Sequence, residues 1–417
     1  MIQRQATNRL VGFAFVLGLI VVLAGVGELT LTLLLYPSPI ASGWGWELSP
    51  RRNQSFPEDT GHNELGLRGV PFSYGPQDVI VLLLGDSQVE VATSPPESMP
   101  ERLLEAHLAR AHLPRSVKVF SLASSGWGND QQLLALERYF QSYRADVVLL
   151  WSTPSNDLWE NTFPDRSLTA EAGPIKPTYL LDGAELHGPF FAGKVFLSKS
   201  RMVDLLLRVR LRLTGRTKEE YLLDQWLARL PTAARDPEEG QASRCSSYPT
   251  IDQGNFFRGI FTLPTEGVTV RTNEDVEHSR STFSPYITPR SERDKYLIEI
   301  TRRLLARIKD VAAQHGAAFR YIYTFRNEFD LLGKERLRCV ETTEGKHFVA
   351  HWDIFEMVRS IVSEDDLLVL PVLGGEEVSV SPTDRHLSDY ANDRAMAGLA
   401  NELVKHDLLA GHRRGSR

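Results

Sequence analysis

The sequence predicts an α/β protein: a three-layer, open, mostly parallel sheet of about five strands, broken by one large insertion and preceded by one N-terminal transmembrane helix. Three observations predict it. Short, mainly apolar runs recur at 78–84 (DVIVLLL), 116–123, 145–152, 318–325 and 366–372, and the first is continuously apolar, as a strand buried on both faces requires. Helical periodicity separates them, so strand and helix alternate as in right-handed parallel units. Residues 10–35 are almost wholly apolar.

Taken in order, residues 10–27 hold no charged or strongly polar side chain, and apolar character resumes after Glu28, which falls at the end of the stretch. A helix over 10–35 would be about 39 Å long at 1.5 Å per residue, enough to cross a bilayer with some tilt. A cleaved signal peptide is the rival reading, with GVG at 25–27 as its small-residue site. Its apolar core usually spans only about 7–15 residues, and the renewed apolar run favours an uncleaved anchor. Arg4 and Arg9 precede the span, so the positive-inside bias places the bulk of the chain outside the cytoplasm, against the opposing Arg51 and Arg52.

The segments expected are a cytoplasmic stub and anchor over 1–36, a connector rich in Pro, Gly, Ser and Trp over 37–77, and a folded domain over 78–417. Within the domain, helices are expected near 101–112 and 130–143, then at 292–314, 353–363 and 389–405. The alternation lapses over 163–289, read as an insertion, where 203–213 is basic and amphipathic. In an exported domain Cys245 and Cys339 can pair; two buried free thiols are the alternative.

With 42% hydrophobic and 24% charged residues among 417 and a net charge of -6, the composition is that of a globular protein and gives no reason to expect nucleic acid. GKHFVAHWD (345–353) sets His347 and His351 four apart, able to share a helix face. The metallohydrolase pattern needs a glutamate after the first histidine, and Phe348 stands there. No metal and no cofactor are expected.

In open α/β sheets sites form beyond the carboxyl ends of the strands, and four such turns carry chemistry. GDS (85–87) follows the first strand, where Gly85 permits a tight turn and Ser87 can project its hydroxyl above the sheet. SLASSGWGND (121–130) follows the second, with Gly126 and Gly128 able to present backbone N–H groups; the plainer reading is a turn capped by Asn129 or Asp130. STPSND (152–157) places the Asn156 amide after the third strand, although Asn and Asp are also ordinary turn residues. SPTDRHLSDYAND (381–393) sets Asp384 two residues from His386, on the same side of an extended stretch, where it can orient the imidazole as a general base. Arg326 and Asn327, after the fourth strand, are candidate substrate contacts.

Together and in this chain order, the four turns resemble the SGNH hydrolases, the GDSL-type esterases and lipases, over about 78–160 and 366–405. The resemblance implies a flavodoxin-like SGNH fold with Ser87 as nucleophile, His386 as base and Asp384 as its orienting acid. It also implies an oxyanion hole of the Ser87 and Gly126 amides and the Asn156 side chain. NELGLRG (63–69) and KPTYLLDGAEL (176–186) are similar to segments of membrane-anchored bacterial members. Three positions depart from the family pattern: Pro154 stands where a glycine is expected, the acid lies two rather than three residues before the histidine, and Ser121 replaces an asparagine.

The function so implied is a membrane-anchored, single-pass, extracytoplasmic serine esterase or O-acyltransferase. Its expected substrates are acyl esters, acetyl foremost, on a small molecule or on a cell-envelope or exopolysaccharide glycan. As a transferase it would draw on a membrane acyl-donor partner. The alternative is a non-catalytic SGNH-like module that binds glycan or scaffolds an envelope assembly.

Overall fold

The computed structural model of the chain describes residues 2–35, 62–92, 94–162, 177–191, 201–215, 250–251, 287–288, 292–326, 337–341, 347–352, 354–373, 378–381 and 386–410. It opens with helix α1 (Ile2–Leu35), whose Phe15, Ile20, Leu23 and Leu29 are exposed. Among the described residues no helix is long and apolar enough to cross a membrane, so a spanning role for α1 rests on the sequence alone.

Strand β1 (Val79–Gly85) is buried along its whole length. The period of two divides its side chains between two cores: Ile80, Leu82 and Leu84 enter one, and Val79, Val81 and Leu83 the other. The chain then turns through a single helical turn, α2 (Ser87–Glu90), and α3 (Pro100–Arg110) leads to β2 (Val117–Ala123). Helix α4 (Asn129–Tyr139) precedes β3 (Val147–Trp151), and α5 (Pro154–Thr162) follows it.

The described part of the insertion holds the hairpin β4 (Pro177–Asp182) and β5 (Glu185–Phe191), helix α6 (Arg201–Leu213), and the short strands β6 (Thr250–Ile251) and β7 (Ile287–Thr288). Helix α6 is the basic amphipathic segment, with Leu206, Leu213, Arg210 and Arg212 exposed. The regular alternation resumes with α7 (Glu292–Gln314) and β8 (Ala318–Arg326). A hairpin of β9 (Leu337–Glu341) and β10 (His347–Trp352) comes next, then α8 (Ile354–Ile361), β11 (Leu367–Leu373) and α9 (Asp389–Lys405).

The main sheet runs β11-β8-β3-β1-β2, every pairing parallel. With its strands numbered in chain order this is 2-1-3-4-5, the flavodoxin-like arrangement, and the order reverses between β1 and β3. Leu104 of α3 and Leu399 of α9 close one face; Leu136 of α4, Ile308 of α7 and Met357 of α8 close the other. The result is the expected three layers and five strands.

Two features were not expected. Of the connector over 37–77, residues 62–77 are described, and Leu67 and Phe72 from it are buried in the main core. A second sheet, β6-β9-β10-β7, joins insertion strands to the hairpin after β8. His347 and His351 therefore lie on a strand rather than a helix. Four residues along a strand span about 13 Å, so the shared helix face is absent. Cys245 lies outside the described residues, as does any pairing it makes with Cys339.

Candidate active site

Ser87 begins α2 directly beyond the end of β1, half-buried, at the edge where the strand order reverses. Gly85 is needed there for space: a Cβ built on it would lie 2.2 Å from Val89 Cγ2 and 2.8 Å from Val89 Cβ. With no side chain at position 85, α2 folds back onto the strand end. The buried Asp86 caps the turn, its Oδ1 accepting the Gln88 N–H at 2.9 Å.

Alternate residues of this short turn reach each of the other three turns. Asp86 Oδ1 accepts the Thr153 hydroxyl at 3.1 Å, tying in the turn after β3. Gln88 Oε1 accepts the Leu387 N–H at 3.1 Å, tying in the turn that carries His386. The buried Glu90 reaches the turn after β2: its carboxylate accepts the Ser125 N–H at 2.8 Å, the Ser125 hydroxyl, and the Ser124 hydroxyl at 3.4 Å. The four turns named from the sequence are thus joined through residues 86, 88 and 90.

Gly126 follows Ser125 with φ 73, the left-handed region that suits glycine, and is buried. Helix α4 is capped by Gly128, not by Asn129 or Asp130. A side chain at 128 would strike Asn161 Oδ1 at 2.7 Å, the same atom that accepts the Asn129 N–H at 2.7 Å.

Pro154 is the first residue of α5, a position whose N–H has no partner within the helix, so its missing donor costs nothing there. Thr153 precedes it, its carbonyl accepting the Asp157 N–H at 3.1 Å. Asn156 lies in the first turn of α5; its side chain is outside the described residues. Ser121 acts in packing: its N–H and hydroxyl donate to Glu101 Oε2 at 2.7 and 2.5 Å.

His386 is exposed and sits beside an antiparallel bridge between Ser379 and Leu387. Its carbonyl accepts the Val380 N–H at 2.9 Å. Asp384 and Asn327 lie outside the described residues, and Arg326 ends β8 with its side chain undescribed. The structure therefore brings the turns of Ser87, Gly126, the Asn156 backbone and His386 together at the carboxyl ends of the strands.

Burial perturbs two carboxyls, Asp157 and Glu101. Asp157 is fully buried; burial first, and the nearby Asp86 second, push its carboxyl well above the usual range, against hydrogen bonds from Ser152 and Thr153. Its Oδ2 accepts the Thr153 N–H at 2.9 Å and the Ser152 hydroxyl. Burial likewise raises Glu101, against the bonds from Ser121 and Val70. Among the described residues no cluster of three or more His, Cys, Asp or Glu side chains could hold a metal ion.

Sequence reasoning missed Gln88, Glu90, Asp157 and Arg68. Arg68, buried in the NELGLRG segment, donates to the carbonyls of Glu90 at 2.8 Å, of Val91, and of Ser94 at 2.6 Å. It thereby fixes the exit from α2, where Val91 has φ 39. The available signal was a charged residue set among apolar ones, as in QVEV and GLRG.

No family model and no curated protein matches the sequence. Among solved structures, the chain is similar to a lipase/acylhydrolase from Enterococcus faecalis, at 12% identity with a TM-score of 0.26, over 79% of this chain and 96% of that one.

Proposed function

We propose that the protein is a serine esterase or O-acyltransferase that works through an acyl-enzyme on Ser87. The observation that carries this reading is the set of hydrogen bonds from residues 86, 88 and 90 that joins the Ser87 turn to the turns of Thr153, His386 and Gly126. A loop that merely ended a strand would have no need of three such ties.

In the proposed reaction His386 takes the proton of the Ser87 hydroxyl as its oxygen attacks the ester carbonyl carbon. The tetrahedral oxyanion is met by the Ser87 and Gly126 N–H groups and the Asn156 side chain. His386 then gives its proton to the departing alcohol. Asp384 holds the imidazole in the tautomer this requires. Water or a second hydroxyl next attacks the acyl carbon, losing its proton to His386; the bond from that carbon to Ser87 Oγ breaks, and His386 returns the proton to Oγ, restoring the free serine. The substrates proposed are acetyl esters of envelope or exopolysaccharide glycans. They fit a domain held at a membrane by the uncharged stretch 10–27 and exposed on the extracytoplasmic side.

Labelling of the full chain with a serine-reactive fluorophosphonate tests this reading. Wild type is expected to label and Ser87→Ala is not. A folded wild type that fails to label would replace it with a non-catalytic glycan-binding module.

A further inference from the structure

We propose that Gln88 is a positioning residue that sets the base-bearing turn against the nucleophile; the inference rests on Ser87 and His386 acting as nucleophile and base. Residues 378–380 and 386–388 form a two-stranded piece. In it Val380 donates to the His386 carbonyl and Ser388 to the Val378 carbonyl, both at 2.9 Å. Between these bonds, Ser379 and Leu387 form the facing pair. In an antiparallel ladder such a pair exchanges no bonds of its own, and its N–H and C=O groups point outward.

Leu387 is buried, at 3% exposure, so both of its outward groups need partners inside the protein. The Asn392 side-chain amide donates to its carbonyl at 3.3 Å. Its N–H has the Gln88 side chain, at 3.1 Å, across 299 residues of chain.

The other end of the link is fixed as well. The Gln88 backbone N–H is held by Asp86 at 2.9 Å, and Asp86 is held in turn by the Thr153 hydroxyl at 3.1 Å. Gln88 is covalently next to Ser87, and Leu387 is next to His386. One side-chain hydrogen bond therefore joins the two neighbours of the reacting pair. It sets their separation without touching substrate. The backbone that carries His386 is thereby fixed relative to Ser87.

The test compares Gln88→Leu, which keeps the shape and loses the acceptor, with Gln88→Glu, which keeps an acceptor for the Leu387 N–H. Each is measured with p-nitrophenyl acetate, with active sites counted by fluorophosphonate. Displacing a catalytic group by about 1 Å costs on the order of 100-fold. Gln88→Leu is thus expected to lose about 10- to 100-fold in kcat per active site with KM unchanged, and Gln88→Glu to restore most of it. Wild-type kcat in Gln88→Leu, or equal losses in both variants, would overturn the assignment.

Hydrogen exchange of the Leu387 amide supplies a readout independent of activity. It should be slow in wild type and Gln88→Glu and faster in Gln88→Leu; equal exchange in all three would overturn the assignment. If wild type shows no Ser87-dependent labelling, the proposed activity fails, and the exchange measurement still decides whether Gln88 holds the turn.

Discussion

Gly85→Ala tests the packing that raises Ser87 above the sheet. The new methyl would stand 2.2 Å from Val89 Cγ2 and 2.8 Å from Val89 Cβ, and Val89 is wholly buried. Neither side can yield easily, since β1 is paired on both edges and the end of α2 is clamped by Arg68. Overpacking of this kind costs about 1–3 kcal/mol, and about 2 °C of Tm per kcal/mol applies to a domain of this size. A fall of roughly 2–6 °C is expected in a thermal melt. Because α2 must shift to admit the methyl, kcat should fall about 10- to 100-fold as Ser87 moves off line. Val89→Ala removes the nearer clash and leaves the Cβ contact. The double variant should therefore be less destabilised than the sum of the single ones, a coupling expected only of side chains in contact. Strict additivity of the two melting shifts, or an unchanged kcat in Gly85→Ala, would refute the reasoning.

Three further outcomes follow from the same geometry. Asp157 has a raised folded pKa, so its folded form keeps a proton that the unfolded chain releases. Its contribution is fully present below the unfolded value of 3.8 and is lost as pH rises through the folded one. Asp157→Asn should therefore gain in Tm relative to wild type as pH rises from 5 to 8; parallel melting curves would contradict this. Glu90→Ala leaves the Ser125 N–H without its carboxylate partner, a loss of about 1–3 kcal/mol, and should lower kcat at least about tenfold by loosening the Gly126 donor; wild-type kcat would count against that link. Asn156→Ala should lower kcat for p-nitrophenyl acetate by about 100- to 1000-fold, and hydrolysis at the wild-type rate would remove Asn156 from the oxyanion hole.

The main sheet was legible because burial on both faces writes a strand as an unbroken apolar run, as in VIVLLLG, and helices on both sides write a 3.6-residue period between runs. The hairpin of β9 and β10 was not. LRCVE and HFVAHW mix charge and apolarity without strict alternation, and their partners β6 and β7 are two residues each, brought from the insertion. Residues 62–77 read as connector because they lack any period. They are held by particular side-chain bonds instead, such as the Asn63 amide to the Ser121 carbonyl at 3.2 Å.

The same distinction runs through the site. The residue types of each turn marked Ser87, Gly126, Asn156 and His386 as candidates, and the roles proposed for them came from the family resemblance. What joins the turns could not be named in advance. Gln88 and Glu90 look like ordinary polar positions of a short helix until their partners, separated from them by 299 and 35 residues, are in place. The departure at Pro154 is read the same way, since the cost of a proline depends on whether it falls inside a turn or, as here, at the first position of a helix.

The most direct test of the account is to trap the acyl group on the enzyme. Full-length protein mixed with p-nitrophenyl acetate, quenched rapidly and mapped by peptide mass spectrometry, is expected to carry one acetyl group on the peptide containing Ser87. Ser87→Ala is expected to carry none and to release no p-nitrophenol above background. Acetylation of another residue in the wild type, or equal product release by Ser87→Ala, would contradict the central claim.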